Sequence, residues 1–341
     1  MTSTSTDHDT TQTPGIGVIL CNLGTPSAPE PAAVKRYLAE FLGDPRVVEI
    51  PALIWKPILH GLILPRRPKE SAQKYQQVWL EDGGSPLLYH TEQQALLLRG
   101  WLGEAGIRNV QVAAGMRYGE PGLKSLLERW YQSGLRRILI VPLYPQYSAT
   151  TTASVYDVAY AWAASKRDIP DLRIVNQYAE FDGYIAALEE TVRKHWSSHG
   201  RPEQLVMSYH GIPARNVQLG DPYQSQCLAT SKRLAERLGL NESQYRVTFQ
   251  SRFGKARWLE PYTQPTLEQL AQSGTKVVDV ICPGFPADCL ETLEEINMEV
   301  REAFLHHGGQ EFRYIPCLNE QPRWISALRD LVQQNLRAWE R

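Results

Sequence analysis

Short apolar runs alternate with amphipathic stretches along this chain, and that alternation limits the fold more than any other feature. Residues 15–23 read GIGVILCNL and end at Gly24-Thr25-Pro26, the pattern of a buried strand running into a loop. Similar runs recur at 110–114, 137–143, 172–177, 204–209, 245–250, 276–282 and 312–316. Helical spacing appears between them, at 34–42, 122–132, 184–195, 227–238, 266–272 and 290–306, and a last helix is expected over 323–339. Strands joined through helices pair in parallel with right-handed crossovers. The expected fold is therefore α/β, with two similar doubly wound parallel sheets of Rossmann-like type. The charged, turn-rich segment SKRDIPD at 165–171 predicts a first domain over 15–165, a second over 166–316, and a C-terminal helix in 317–341. Residues 1–14 are small and polar and are expected to be disordered.

Ligands of such sheets bind beyond the carboxyl ends of the strands. The informative segments are then those following each run: 22–26, 115–119, 144–151, 208–213, 250–254 and 283–288. Together they collect aromatic rings, small hydroxyls, His210, Arg117 and Arg252 at one end of the sheets. That mixture suits a flat apolar ligand with acidic substituents, because rings supply contact area and Arg pairs with carboxylates. No GxGxxG or Walker loop opens a helix, so dinucleotide and P-loop readings lose their main support. Lys plus Arg number 36 and Asp plus Glu 37, which leaves no overall basic field for nucleic acid. The five cysteines are scattered without CxxC spacing, as expected in a reducing cytoplasm. No window reaches the about 18 apolar residues of a spanning helix. The nearest, 53–64 (LIWKPILHGLIL), reads either as an amphipathic core helix or loop, or as a lip touching membrane or an apolar ligand.

Seven segments carry a family resemblance: NLGTP at 22–26, GGSPL at 83–87, MRYGEP at 116–121, PLYPQYSATTT at 142–152, SYHGIP at 208–213, QSRFG at 250–254 with Trp258, and DCLETLEEI at 288–296. In this order and spacing the chain resembles the ferrochelatases, the enzymes that insert ferrous iron into a porphyrin at the end of haem synthesis. The resemblance implies a porphyrin cleft between the two domains and a last helix returning to the first. Its substrates would be protoporphyrin IX and Fe²⁺, with no tightly bound cofactor. Only Cys317 lies near the C-terminus, so no iron–sulfur cluster is expected. Coproporphyrin or cobalt chemistry, or a non-enzymatic porphyrin carrier, are the alternatives; coproporphyrin-using relatives tend to carry Tyr where this chain has Leu23. Peripheral membrane contact at the inner face is left open, and monomer and homodimer are both compatible with the sequence.

Metallation needs a proton acceptor for two pyrrole protons, and a neutral His suits that task near pH 7. By resemblance His210 is that acceptor, a metal ligand, or both, and Glu291 is its counterpart across the ring. Asp288, Glu291, Glu295 and Glu299 have two readings. Periodicity makes Asp288 and Glu291 a capping box, with the glutamates on a solvated face opposite Leu290, Leu293, Ile296, Val300 and Phe304. The other reading is a carboxylate ladder relaying protons or metal through Asp288, Glu295 and Glu299. Many relatives carry His where this chain has Cys289, which leaves Glu291 more of the task; Cys289 reads as a small core residue or a soft ligand. Leu23, Arg117, Tyr118, Trp258 and Phe285 match positions that line the family's porphyrin pocket. Arg117 and the Tyr75 hydroxyl are expected to meet propionates. Ser148, with Thr150 and Thr151, either binds ligand or caps the next helix.

Overall fold

The computed structural model describes residues 15–254 and 256–339. The expected disorder of 1–14 lies outside these residues. Each run of alternating or continuous apolar residues forms a strand: β1 (Ile16–Gly24), β2 (Val110–Tyr118), β3 (Arg137–Pro142), β4 (Asp171–Ile174), β5 (Gln204–His210), β6 (Tyr245–Gln250), β7 (Val277–Ile281) and β8 (Glu311–Ile315). They make two four-stranded sheets, ordered β2-β1-β3-β4 and β6-β5-β7-β8, with every pair parallel. The second sheet repeats the order of the first. In each, the chain leaves its first strand toward one side and later returns to the other, so a crevice opens at the carboxyl ends of β1 and of β5.

Three expectations change. The first sheet runs past the boundary expected at 165/166, because β4 pairs with β3 from Arg137↔Asp171 to Ile140↔Ile174. β2 continues to Tyr118, so Met116 and Tyr118 are fully buried sheet residues rather than loop residues. The 53–64 segment is not a core helix. It forms a helix (Ala52–Ile58) and a wide turn (Leu59–Ile63) that bury Trp55 and Leu59 but leave Leu53 93% exposed. The helices Leu64–Val78, Pro86–Glu104 and Thr152–Ala164 are additional to those expected.

Gly24 ends β1 with φ 120°, and a Cβ there would lie 1.8 Å from the Tyr118 carbonyl oxygen. Only glycine permits this closeness of β1 to β2. The Pro322–Leu336 helix packs on the first half. Arg173 Nη1 donates to the Asn335 carbonyl at 2.8 Å, and Trp339 Nε1 to Asp171 at 2.5 Å. Trp324 in that helix is fully buried beside the rings of Tyr178 and Tyr184. A ring of this size buries about 200 Å², worth at most roughly 5 kcal/mol. The same apolar cluster takes in Leu20 and Val141 of the first sheet and Leu205 and Met207 of the second, so it fixes the two crevices relative to each other. Polar links add to it: Gln146 Nε2 donates to Thr230 Oγ1 (2.9 Å), and Ser148 Oγ to Asp221 (2.9 Å).

Candidate active site

His210 is the last residue of β5 and is partly exposed. Its Nδ1 lies 2.6 Å from the Gly211 carbonyl oxygen. A carbonyl only accepts, so Nδ1 carries the proton and the neutral ring keeps its lone pair on Nε2. Gly211 is required by close packing, since a Cβ would lie 2.9 Å from the Gln250 carbonyl oxygen and 3.1 Å from the Trp258 ring. The Trp258 ring is 6.3 Å from the imidazole. Its loop is held against the one after β5 by Leu259 N–H donating to Ile212 and Ala214 N–H to Arg257, each at 2.9 Å.

Gln250, the last residue of β6, connects this point to the 291–300 helix. Its Nε2 donates to the Glu291 carbonyl (2.8 Å), while its Oε1 accepts from Ser208 (2.7 Å). Ser251 follows with φ 62°, a left-handed conformation that costs a non-glycine residue of order 1–3 kcal/mol. That conformation aims both its N–H (2.6 Å) and its hydroxyl (2.5 Å) at the Glu295 carboxylate. Burial raises the Glu295 pKa; the Ser251 bonds, and a proton on His210, oppose that rise, and the Glu291 charge adds to it.

Glu291–Val300 is a wide, π-type helix, a form found mostly at functional sites. It does not present the expected row of carboxylates. Glu295 goes to Ser251, whereas Glu299 (2.7 Å) and the buried Glu294 (3.0 Å) go to Lys74. Leu293 is only partly buried, and Glu294 takes a place in the interior. The capping box is also not formed. The buried Asp288 accepts from Thr292 (3.0 Å), Tyr314 (2.5 Å) and Asn319 (2.6 Å), so its lone pairs are spent on holding the start of the helix. The Glu291 charge reaches Cys289, and with burial it pushes that buried thiol's pKa well up. Such a thiol is a poor soft ligand and packs as a small core residue.

The expected pocket residues divide. Leu23 and Phe285 come from opposite halves and share an apolar cluster with Leu87, Ala287 and Cys289. Tyr75 is buried, its hydroxyl pushed up by burial and by the Glu291 charge. Tyr75 and Glu291 thus interact from opposite halves, and Glu295 lies within reach of the charge of Glu291 and of a protonated His210. Arg117 and Tyr118 are bonded to other partners. The Arg117 guanidinium is paired with buried Asp44 and donates to the Ser154 carbonyl at 3.0 Å; the Tyr118 hydroxyl donates to Asp44 at 2.8 Å. Both are committed to a buried network rather than free for a propionate. Ser148 does not cap the next helix; its hydroxyl is bonded to Asp221 and Thr150.

Sequence reasoning gave no role to Gln250, Ser251, Glu294, Lys74 or Asp44. The first two stood in a post-strand segment, which was the usable signal. The others offered none, because their partners are distant in the chain.

Residues 15–336 match the family model described as Ferrochelatase. A ferrochelatase of Polaromonas sp. is 58% identical over 94% of this chain and 87% of its own length. One of Methylibium petroleiphilum is 56% identical over 94% and 88%, and one of Bordetella pertussis 52% over 95% and 89%. Among solved structures, SirB from Bacillus subtilis with Fe³⁺ aligns over 74% of this chain and 92% of that one. Its TM-score is 0.53 at 14% identity, a likeness of fold.

Proposed function

This chain belongs to the ferrochelatase family and is a haem-forming, metal-chelating lyase, and we propose that it acts on protoporphyrin IX with His210 as proton acceptor and Glu291 as its counterpart. The observation that carries this reading is the commitment of His210 Nδ1 to the Gly211 carbonyl at a strand's carboxyl end, which leaves the Nε2 lone pair free to accept a proton. In the reaction the porphyrin loses two pyrrole N–H protons and gains two metal–nitrogen bonds. Nε2 takes up one proton as Fe²⁺ arrives, and Glu291 takes the other or passes it to Glu295. Iron is cargo, so a loose carboxylate–imidazole pair suits it better than a closed cage. No resident cofactor enters this reading. Asp288, with its lone pairs occupied, is a holder of the helix start in this scheme, and Glu299 is withdrawn to Lys74.

The Leu23–Phe285 cluster supports protoporphyrin over coproporphyrin. Vinyl groups lose nothing against an apolar wall, whereas an extra propionate there would be desolvated without a partner. Anaerobic incubation with Fe²⁺ and each porphyrin in turn, followed by absorbance, tests this. Protoporphyrin is expected to turn over at least about tenfold faster, the scale of one unfavourable polar burial; faster coproporphyrin turnover overturns the substrate assignment.

A second reading concerns the lip. Among the described residues no helix is long and apolar enough to cross a membrane. Yet Leu53, Ile54 (58% exposed), Ile58 and Leu62 present apolar side chains outward, while Trp55 anchors the helix through Nε1 to the Leu42 carbonyl at 2.6 Å. Lys56, Arg66 and Lys69 flank them. We propose that this lip touches an anionic lipid surface, where an apolar face and basic residues act together. Flotation with vesicles containing phosphatidylglycerol is expected to carry the protein. Leu53→Ser with Ile54→Ser should lower the bound fraction about tenfold or more, given roughly 1.5–3 kcal/mol per inserted side chain. Equal binding of the double variant refutes the contact.

A further inference from the structure

Lys74 stands in the Leu64–Val78 helix of the first half, yet its ammonium lies on the wide helix of the second. Nζ is 3.0 Å from the Glu294 carboxylate and 2.7 Å from that of Glu299. These glutamates are five positions apart. On an α-helix, five residues turn the chain to about 140° from the starting direction, so the two carboxylates would point apart. With i→i+5 hydrogen bonds a turn takes about 4.4 residues, so five residues end only about 50° past the starting direction and both carboxylates lie toward the same side. One ammonium can therefore bridge Glu294 and Glu299 only while 291–300 keeps its wide turn. The two arms are unequal. Glu299 is 49% exposed at its side chain, where ion pairs contribute little, whereas Glu294 is 6% exposed and depends on its partner. The same Leu64–Val78 helix carries Arg67, whose guanidinium stacks 4.4 Å over Phe253 of the second half, next to Ser251. It also carries Tyr75, which feels the Glu291 charge. The helix is thus fastened to the second half at two points along its length, Arg67 and Lys74.

We propose that Lys74 is a positioning residue for iron insertion: by bridging Glu294 and Glu299 it selects the wide turn of 291–300 and so sets the aim of Glu291 and Glu295 beside His210. Lys74 touches neither substrate in this scheme. In an α-helical turn Glu295 would rotate away from the Ser251 N–H and hydroxyl that now hold it, and the Glu291 carbonyl would leave Gln250. This inference rests on the reading of Glu291 given above.

The test compares Lys74→Met, Lys74→Arg and Glu291→Gln in the full-length enzyme. Lys74→Met is expected to lower kcat about tenfold or more with the porphyrin KM within about twofold, the split that marks misaligned chemistry rather than lost binding. Lys74→Arg, which can still bridge two carboxylates, should restore most of kcat. Glu294→Gln leaves no buried charge unpaired and carries the same test should Lys74→Met not fold; it is expected to show the same kcat-selective loss. Wild-type kcat in Lys74→Met or in Glu294→Gln overturns the proposal, as does a loss that Lys74→Arg does not repair. Full activity in Glu291→Gln sinks the reading of Glu291 instead, so the two failures are told apart.

Discussion

Replacing His210 with Ala is expected to lower the rate of iron insertion by about 10²- to 10⁴-fold, the range for loss of a positioned general base, while leaving porphyrin binding nearly unchanged. The ring is partly exposed, and among the described residues its hydrogen bond goes to the adjacent Gly211 carbonyl. Truncation therefore opens no closed core cavity and strands no distant partner. Gln250, Ser251 and Trp258 keep their own links to neighbouring strands and loops. The porphyrin loses one contact among many, but the pyrrole protons lose their acceptor. Fluorescence titration with protoporphyrin reports binding, and anaerobic Fe²⁺ uptake under single-turnover conditions reports chemistry. Activity within tenfold of wild type means that the base lies elsewhere. Loss of binding alone means that His210 is a wall of the pocket. Other described histidines are poor substitutes: His195 and His199 stack on each other at the end of the Asp182–His199 helix, His306 and His307 end another, His90 is held by Glu320, and His60 lies in the Leu59–Ile63 turn of the lip.

What made His210 findable was its place at the carboxyl end of a strand, and the strands were readable because each is an apolar run of the right length. β6, at Tyr245–Gln250, lies where the pattern puts it. Sequence periodicity fails where a partner far along the chain decides the outcome. Nothing local shows that Arg117 is neutralised by Asp44, 73 positions earlier, or that Glu294 turns inward to meet Lys74. Leu53 failed for the opposite reason: its apolar character was plain, but burial depends on whether another element covers it, and among the described residues it stays 93% exposed. The 291–300 helix is the sharpest case. A 3.6-residue wheel sorted its glutamates onto one solvated face, whereas the wide turn divides them between Ser251 and Lys74.

That division makes Glu291 the second position where a single change should be severe. Lys74 takes Glu294 and Glu299, and Ser251 takes Glu295. Glu291 instead has its backbone carbonyl fixed by Gln250, while its charge is felt by Cys289, Tyr75 and Tyr37, which come from both halves. A carboxylate with a pinned backbone and a charge spanning the cleft can attract Fe²⁺ and accept a proton without being drawn into an ion pair. Gln is nearly isosteric, so Glu291→Gln keeps the packing against Cys289 and removes only charge and basicity. Insertion is expected to fall about 10²-fold or more, with the porphyrin KM within about twofold and the Fe²⁺ KM raised. The cysteine beside it sharpens the expectation. Burial and the Glu291 charge hold the Cys289 thiol protonated, so it offers no second base. Cys289→Ala should then leave insertion close to wild type, and combining it with Glu291→Gln should add nothing to the Glu291→Gln loss. A residual rate in Glu291→Gln that disappears only in the double variant would place proton transfer on the thiol and remove Glu291 from its assigned role.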